Sequence, residues 1–477
     1  MLEEIELLIH VVRSGETLWQ IASRYNVDTN SIVDINGLQF PNQLVIGQSL
    51  IIPVAGTTHV IKSGETLWSI AQKYGVTTNS IIQANQLTNP NLLYPGTKLI
   101  IPPLTYVVQS GDTLAIIARR FDTTVQAIVR ENNIQNMNLI YVGTQLVIPR
   151  PKPTIEVNAY TYQGSEQAAA NSINAIGRHL TYVSPFAYMI KEDGTLEPFP
   201  DRLAISAAYS NRVVPMMSIT NFTSTSLGSN LSNKILASQE LSEKVLTNAI
   251  KVMDEKGYRG LNVDFENVLP EDRENYNRFM QMAVDRLHPK GYFVSSALAP
   301  KTSAAHTGLL YTAHDYPAHG KIADFVVLMT YEWGYRLGPP QAISPINQMR
   351  RVIQYAASVM PPEKIFLGFQ IYARDWVLPH VKGVSARTFG VQEAVRLAVT
   401  HGATIQYDEV AQSPYFHYTD DQGKRHEVWF EDARSAQAKF DLVKEFNLRG
   451  VSYWALGYSY PQNWVLLEDN FNVKKLI

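Results

Sequence analysis

The chain has 477 residues, enough for two to four domains. Lys and Arg total 41 against 43 Asp and Glu, a net charge of −2 that argues against a nucleic-acid partner and removes any polybasic membrane contact. There are no cysteines, so disulfide scaffolds, thiolate metal sites and cysteine nucleophiles are excluded. At the N-terminus Glu3, Glu4 and Glu6 stand where an export leader would be basic, and no later run approaches the ~20 apolar residues of a membrane span. Either the protein is made without export or a leader has been removed.

The first third repeats itself. His-Val-Val-Arg-Ser-Gly-Glu-Thr-Leu-Trp at 10–19 returns at 59–68 and, as Tyr-Val-Val-Gln-Ser-Gly-Asp-Thr-Leu-Ala, at 106–115. Each copy closes on an Ile-Pro pair, at Pro53, Pro102 and Pro149. Periods near 48 residues signal an array of modules, here 10–53, 59–102 and 106–149. Within the second, His59–Lys62 predicts a strand, and Leu67, Ile70, Ala71 and Tyr74 have helical spacing. Thr77 and its neighbours recap the chain for a helix reaching Asn85, and Pro95-Gly96 turns it into the strand Lys98–Ile101. The resulting β-α-α-β unit resembles the LysM module, which implies binding of N-acetylglucosamine-containing glycans. The third copy carries Ala115 in place of Trp19 and Trp68, so it is expected to bind least. Pro149-Arg-Pro-Lys-Pro153 predicts a semi-rigid spacer, with the linker at 150–154.

From 155 to 477, strand-like runs alternate with helical stretches. The predicted strands are Ile155–Ala159, Tyr182–Met189, Val213–Ile219, Gly260–Phe265, Tyr292–Leu298, Phe325–Thr330, Ile365–Gln370 and Val451–Ala455, with helices such as Gln239–Lys256 and Arg273–Leu287 between them. Eight such strands predict an α/β fold, a (β/α)8 barrel. The last gap is too long for one helix. It holds the strand-like pieces Ala403–Tyr407, Tyr415–Tyr418 and Glu427–Phe430, which predict a small α+β insertion at about 373–432.

Arg259-Gly-Leu-Asn-Val-Asp-Phe-Glu266 is the most informative stretch. Alternation puts Asn262, Asp264 and Glu266 on one face of the fourth strand, pointing toward the catalytic end of a barrel. Burying that many polar groups without purpose is costly. The stretch resembles the Asp-Gly-x-Asp-x-Asp-x-Glu signature of glycoside hydrolase family 18, the chitinase family, with Arg259 and Asn262 replacing the first two aspartates. Met329-Thr-Tyr-Glu332 resembles the family's sixth strand, with Glu332 replacing an aspartate. Gly368-Phe-Gln370-Ile-Tyr372 through Trp376 resembles strand seven and its exit, Gly450 through Gly457 strand eight, and Val428 through Asp432 the end of the inserted subdomain.

The resemblance implies a retaining β-N-acetylglucosaminidase in which the substrate's own acetamido oxygen attacks. Glu266 would be general acid and base, Asp264 would orient the acetamide and stabilise the oxazolinium ion, and Tyr331 would hydrogen-bond the acetamide. Asn262, Trp454, Glu332, Tyr372 and Gln370 would line the substrate, Trp454 as the floor beneath the attacked sugar. Core packing explains Tyr372, Trp376 and Trp429 equally well. A neutral Asn262 is expected to leave Asp264 ionised to lower pH than an aspartate there would.

No cofactor or metal is expected; His314 and His319 share a segment but lack a carboxylate cluster. LysM repeats before such a barrel resemble the cortical-fragment lytic enzymes of spore-forming bacilli, which implies peptidoglycan as partner, a spore location and a monomer that contacts neither nucleic acid nor membrane. A secreted or cell-wall location, a chitinase and a non-catalytic glycan-binding barrel remain as alternatives.

Overall fold

A computed structural model describes residues 5–55, 57–85, 87, 89–121, 123–137, 139–149, 152–162, 164–222 and 226–477. Glu3, Glu4 and residues 150 and 151 of the expected spacer lie outside them. The chain divides into two compact units, Met1–Pro153 and Thr154–Ile477.

The first unit contains three two-stranded antiparallel sheets, each with a helix pair between its strands. Ile5–Val11 pairs with Ser49–Ala55, Thr57–Val60 with Lys98–Ile101, and Thr105–Val107 with Gln145–Val147. The helix that follows each opening strand starts on a threonine cap. Thr17, Thr66 and Thr113 accept the N–H of Gln20, Ser69 and Ile116 at 3.3, 3.1 and 3.2 Å. An asparagine then ties each second helix to the closing strand. Asn85 donates to Ile81 and Ile100 carbonyls and accepts the Ile100 N–H, and Asn36 and Asn132 do the same with Ile32 and Ile51, and with Ile128 and Val147. Each module has its own small aliphatic core, such as Ile61, Leu67, Ile70, Ile81, Leu99 and Ile101 in the second.

The second unit is a closed barrel of eight parallel strands: Thr154–Thr161, Tyr182–Pro185, Val214–Thr220, Gly260–Asp264, Phe293–Leu298, Phe325–Leu328, Ile365–Gln370 and Gly450–Leu456, numbered here one to eight. Strand eight pairs with strand one, and three with four, so the sheet has no open edge. Alternation sorts the fourth strand as its sequence dictates. Leu261, Val263 and Phe265 are fully buried, and Phe265 packs on Tyr276 and Phe279 of the helix Arg273–Leu287. Asn262 and Asp264 point inward. The helix Gln239–Lys256 begins at the Ser238 cap, buries Val245, Leu246, Ala249 and Met253, and stops at Gly257, whose φ of 83° suits glycine. Burying each large apolar side chain contributes about 1.5–3 kcal/mol. Inside the barrel Tyr160, Tyr182, Phe325 and Phe366 form an aromatic plug with Met216 and Val327.

Two observations concern closure and insertion. Buried Glu156 on strand one accepts from Tyr182 Oη at 2.8 Å, Arg449 Nε at 2.7 Å and Lys474 Nζ at 2.9 Å, joining the start of the barrel to its last residues. After strand seven the chain forms a five-stranded antiparallel sheet in the order Arg387–Gly390, Tyr372–Leu378, Arg425–Trp429, Ser413–Thr419, Gln406–Asp408, with the helix Val391–Thr400. The first two of these strands were not expected from sequence. Trp376 and Trp429 pack with Ala342, Ala386 and Ala411 in its core, so their role there is packing.

Candidate active site

Glu266 lies two residues past Asp264, just beyond the last hydrogen-bonded residue of strand four. Its backbone is held by strand three's neighbour Asn221. The Glu266 N–H donates to Asn221 Oδ1 at 2.9 Å, and Asn221 Nδ2 donates to the Glu266 carbonyl at 2.8 Å. The preceding residue is held from the other side by His314. Ala299 N–H donates to His314 Nδ1 at 2.7 Å, so Nε2 carries the proton it shares with the Phe265 carbonyl at 3.1 Å. Burial pushes the His314 imidazole down to about 4, which keeps it neutral in this role at physiological pH.

Both carboxyls are pushed upward. Burial, and then the nearby charge of Glu332, raises Glu266 to about 7. Asp264 is raised well above the ordinary carboxylate range, by burial first and by Glu266 second. With the neutral Asn262 in place, desolvation still dominates at Asp264; an aspartate at 262 would add a like charge to it. Asp264 Oδ1 is buried and has no hydrogen-bond partner among the described residues, which leaves it available to a substrate donor.

Asn262 does not face the cleft. It is fully buried one layer below Asp264, bonded to Tyr160 Oη at 3.3 Å, Ser218 Oγ at 3.3 Å and Ser295 Oγ at 3.0 Å. Gln370 is corrected in the same way. It is fully buried, accepts from Ser344 Oγ and donates to Glu431 Oε1 at 2.7 Å, so its amide is consumed by the protein. Tyr372 is 4% exposed and donates its hydroxyl to Glu332, which makes it a support for Glu332 and not a sugar contact.

Glu332 faces the cleft beside Glu266. Its two oxygens accept from Arg374 Nη1 and Nη2 at 2.8 and 2.7 Å, a bidentate pair. Its φ of 70° is left-handed, a strained conformation of the kind found at working sites. Tyr331 lines the same cleft; burial raises its phenol most, followed by Tyr160 and Asp264, with Glu266 adding to the rise. Strand seven makes room for it with Gly368, where a Cβ would stand 3.0 Å from the Tyr331 ring and 2.1 Å from the Leu328 carbonyl. Across the barrel, Trp454 sits half-buried in an aromatic wall, 5.1 Å from Tyr162, 4.9 Å from Phe186 and 5.5 Å from Tyr160 between ring centres. Tyr162, Phe186, Asn221 and Arg374 were not singled out from sequence, and His314 was weighed there only as a metal ligand. Among the described residues there is no His, Cys, Asp and Glu cluster able to hold a metal.

A buried aspartate and a half-buried glutamate, both with their proton affinity raised, at the C-terminal end of a barrel strand are the equipment of a glycoside-cleaving enzyme. Residues 159–459 match the family described as glycosyl hydrolases family 18, and 10–53, 59–102 and 106–149 each match the LysM domain. The chain is 47% identical over 471 residues to the cortical fragment-lytic enzyme of Bacillus subtilis (strain 168), covering 98% of this chain and 99% of that one. It is 43% identical to the cortical fragment-lytic enzyme of Bacillus cereus over 68% of this chain and 76% of that one. The crystal structure of the Bacillus megaterium QM B1551 spore cortex-lytic enzyme SleL superimposes with a TM-score of 0.80 at 37% identity, covering 99% and 100% of the two chains. The chain belongs to glycosyl hydrolases family 18, with three LysM domains ahead of the catalytic barrel, and shares its family with these cortical fragment-lytic enzymes.

Proposed function

We propose that the protein is a peptidoglycan-binding N-acetylglucosaminidase that cleaves spore cortex fragments during germination. The observation that carries the reading is the neighbouring pair of Asp264, buried with an unused oxygen, and Glu266, half-buried and raised to about 7. The near full-length likeness to cortical fragment-lytic enzymes supports the substrate.

Protonated Glu266 donates to the glycosidic oxygen as the acetamido oxygen of the same sugar attacks the anomeric carbon. Asp264 accepts the acetamido N–H and offsets the positive charge of the oxazolinium ion, while Tyr331 hydrogen-bonds the acetamide. Ionised Glu266 then takes a proton from water, which attacks the anomeric carbon and restores the acetamide with retained configuration. Asp264 is a poor direct nucleophile, because a retaining pair flanks the bond at ~5–5.5 Å, whereas Asp264 and Glu266 approach from one strand. Trp454 forms the floor of the attacked sugar.

The test is mass spectrometry of products from purified cortex fragments. N-acetylglucosamine at the new reducing end is expected; muramic acid there overturns the proposal. Faster release from chitin than from cortex fragments would favour a chitinase.

A further inference from the structure

Between Glu266 and the loop that follows strand five lies a cleft of about 140 Å³. Its walls are Ala299, Pro300, Leu310, Tyr311, Met329 and Trp333, and its polar groups are Glu266, Tyr331 and Glu332. We infer that this cleft seats the leaving sugar and selects one that carries no negative charge. The inference rests on the proposed glycosidase reading and names the chemical class of sugar accepted beyond the cleaved bond.

Position comes from topology. Strands four, five and six are consecutive neighbours, and Glu266, Ala299 and Tyr331 stand at their ends. Trp454, on strand eight, does not line the cleft. The glycosidic oxygen must meet the Glu266 carboxyl, so the sugar on the far side of that oxygen extends over strands five and six.

Charge follows from the lining. None of the lining residues is Lys, Arg or His. The cations close behind it are committed elsewhere. Lys301, 5% exposed, donates from Nζ to the His314 carbonyl at 3.1 Å, and buried Arg374 is engaged by Glu332. A carboxylate on the leaving sugar would lose hydration against proline, leucine and tryptophan without gaining a partner. It would also face the charge of Glu332 and, once the proton has moved, that of Glu266.

The walls are built to stay in place. Tyr316 Oη donates to the Ala299 carbonyl at 2.6 Å and accepts the Lys301 N–H at 2.9 Å. His306 stacks on Tyr311 at 4.0 Å, and burial, then Lys301, push its imidazole below the ordinary value, which favours the neutral ring.

The experiment compares three oligosaccharides with the full-length enzyme, each with the same attacked N-acetylglucosamine. The leaving sugar is N-acetylglucosamine, N-acetylmuramic acid with a free lactyl carboxylate, or the methyl ester of that acid. We expect kcat/KM for the free acid to be at least about tenfold below that for its ester, a gap of about 1.4 kcal/mol in transition-state stabilisation. Leu310→Arg is expected to narrow the gap by improving the acid. Equal or faster cleavage of the free acid by the native enzyme overturns the inference whether or not the variant folds. Failure to cleave any of the three overturns the glycosidase reading beneath it.

Discussion

Asn221 grips Glu266 by its main chain, accepting its N–H at 2.9 Å and donating to its carbonyl at 2.8 Å, and leaves its carboxyl free. A proton donor must swing little and be aimed well, and a bidentate amide clamp on the residue's own peptide groups achieves that without altering its acidity through a direct bond. Asn221→Ala is expected to lower kcat about tenfold with KM nearly unchanged. Unpairing these buried groups costs about 1–3 kcal/mol of stability, so a melting curve accompanies the kinetics. A rise in KM with kcat unchanged would contradict the positioning role.

Glu266→Gln is nearly isosteric but has no proton to give. Turnover should fall by about 10²–10⁴-fold or more, while circular dichroism and glycan pull-down match the native protein. Native activity in a folded Glu266→Gln protein would remove Glu266 from the mechanism.

The acid must be protonated to act, and Glu266 is raised to about 7 by burial and then by Glu332. Hence kcat/KM should fall as pH rises through about 7. Glu332→Gln removes a negative neighbour and frees Arg374, and both changes favour ionised Glu266. The alkaline limb should therefore move to lower pH. A limb that stays or moves upward in that variant would show that Glu332 does not tune the acid.

Attack by the acetamide makes that group indispensable. A thiazoline mimic of the oxazolinium ion should inhibit, and a 2-hydroxy analogue of the cleaved sugar should not be turned over. Trapping of a glycosyl ester on Asp264 would refute substrate assistance.

Removal of residues 1–153 should leave an active barrel, because that unit has its own core. Soluble fragments should be cleaved at the native rate, whereas binding to insoluble peptidoglycan should drop, since linked modules gain from effective concentration. Equal pull-down of both proteins would deny the modules an anchoring role.

The barrel strands and the helices Gln239–Lys256 and Arg273–Leu287 could be read from the sequence because period and caps agree with burial there. The strand Tyr372–Leu378 escaped because Arg374 and Asp375, each held in an ion pair, interrupt the apolar run by which the equally buried barrel strands were found. Alternation also placed Asn262 and Asp264 on one inward face but is silent about depth. Two residues move a side chain ~6–7 Å along the strand, enough to take Asn262 out of the cleft and into the packed interior. Gln370 was misread for the same reason. The Glu332–Arg374 pair spans 42 residues and enters through a strained backbone, and neither fact leaves a local pattern.

Glu156 imposes an order on synthesis. Its carboxylate is among the first barrel groups to emerge, yet Lys474 follows 318 residues later. At ~5–20 residues per second that is a delay of roughly 15–60 s. Until then the site on strand one holds a charge that is expensive to bury alone, and one edge of strand one stays open until Gly450–Leu456 emerges to pair with it. The three small modules need nothing that comes after residue 149. The nascent chain thus carries completed glycan-binding modules at its front while the catalytic barrel behind them is still open, and hydrolytic competence arrives only with its last strand.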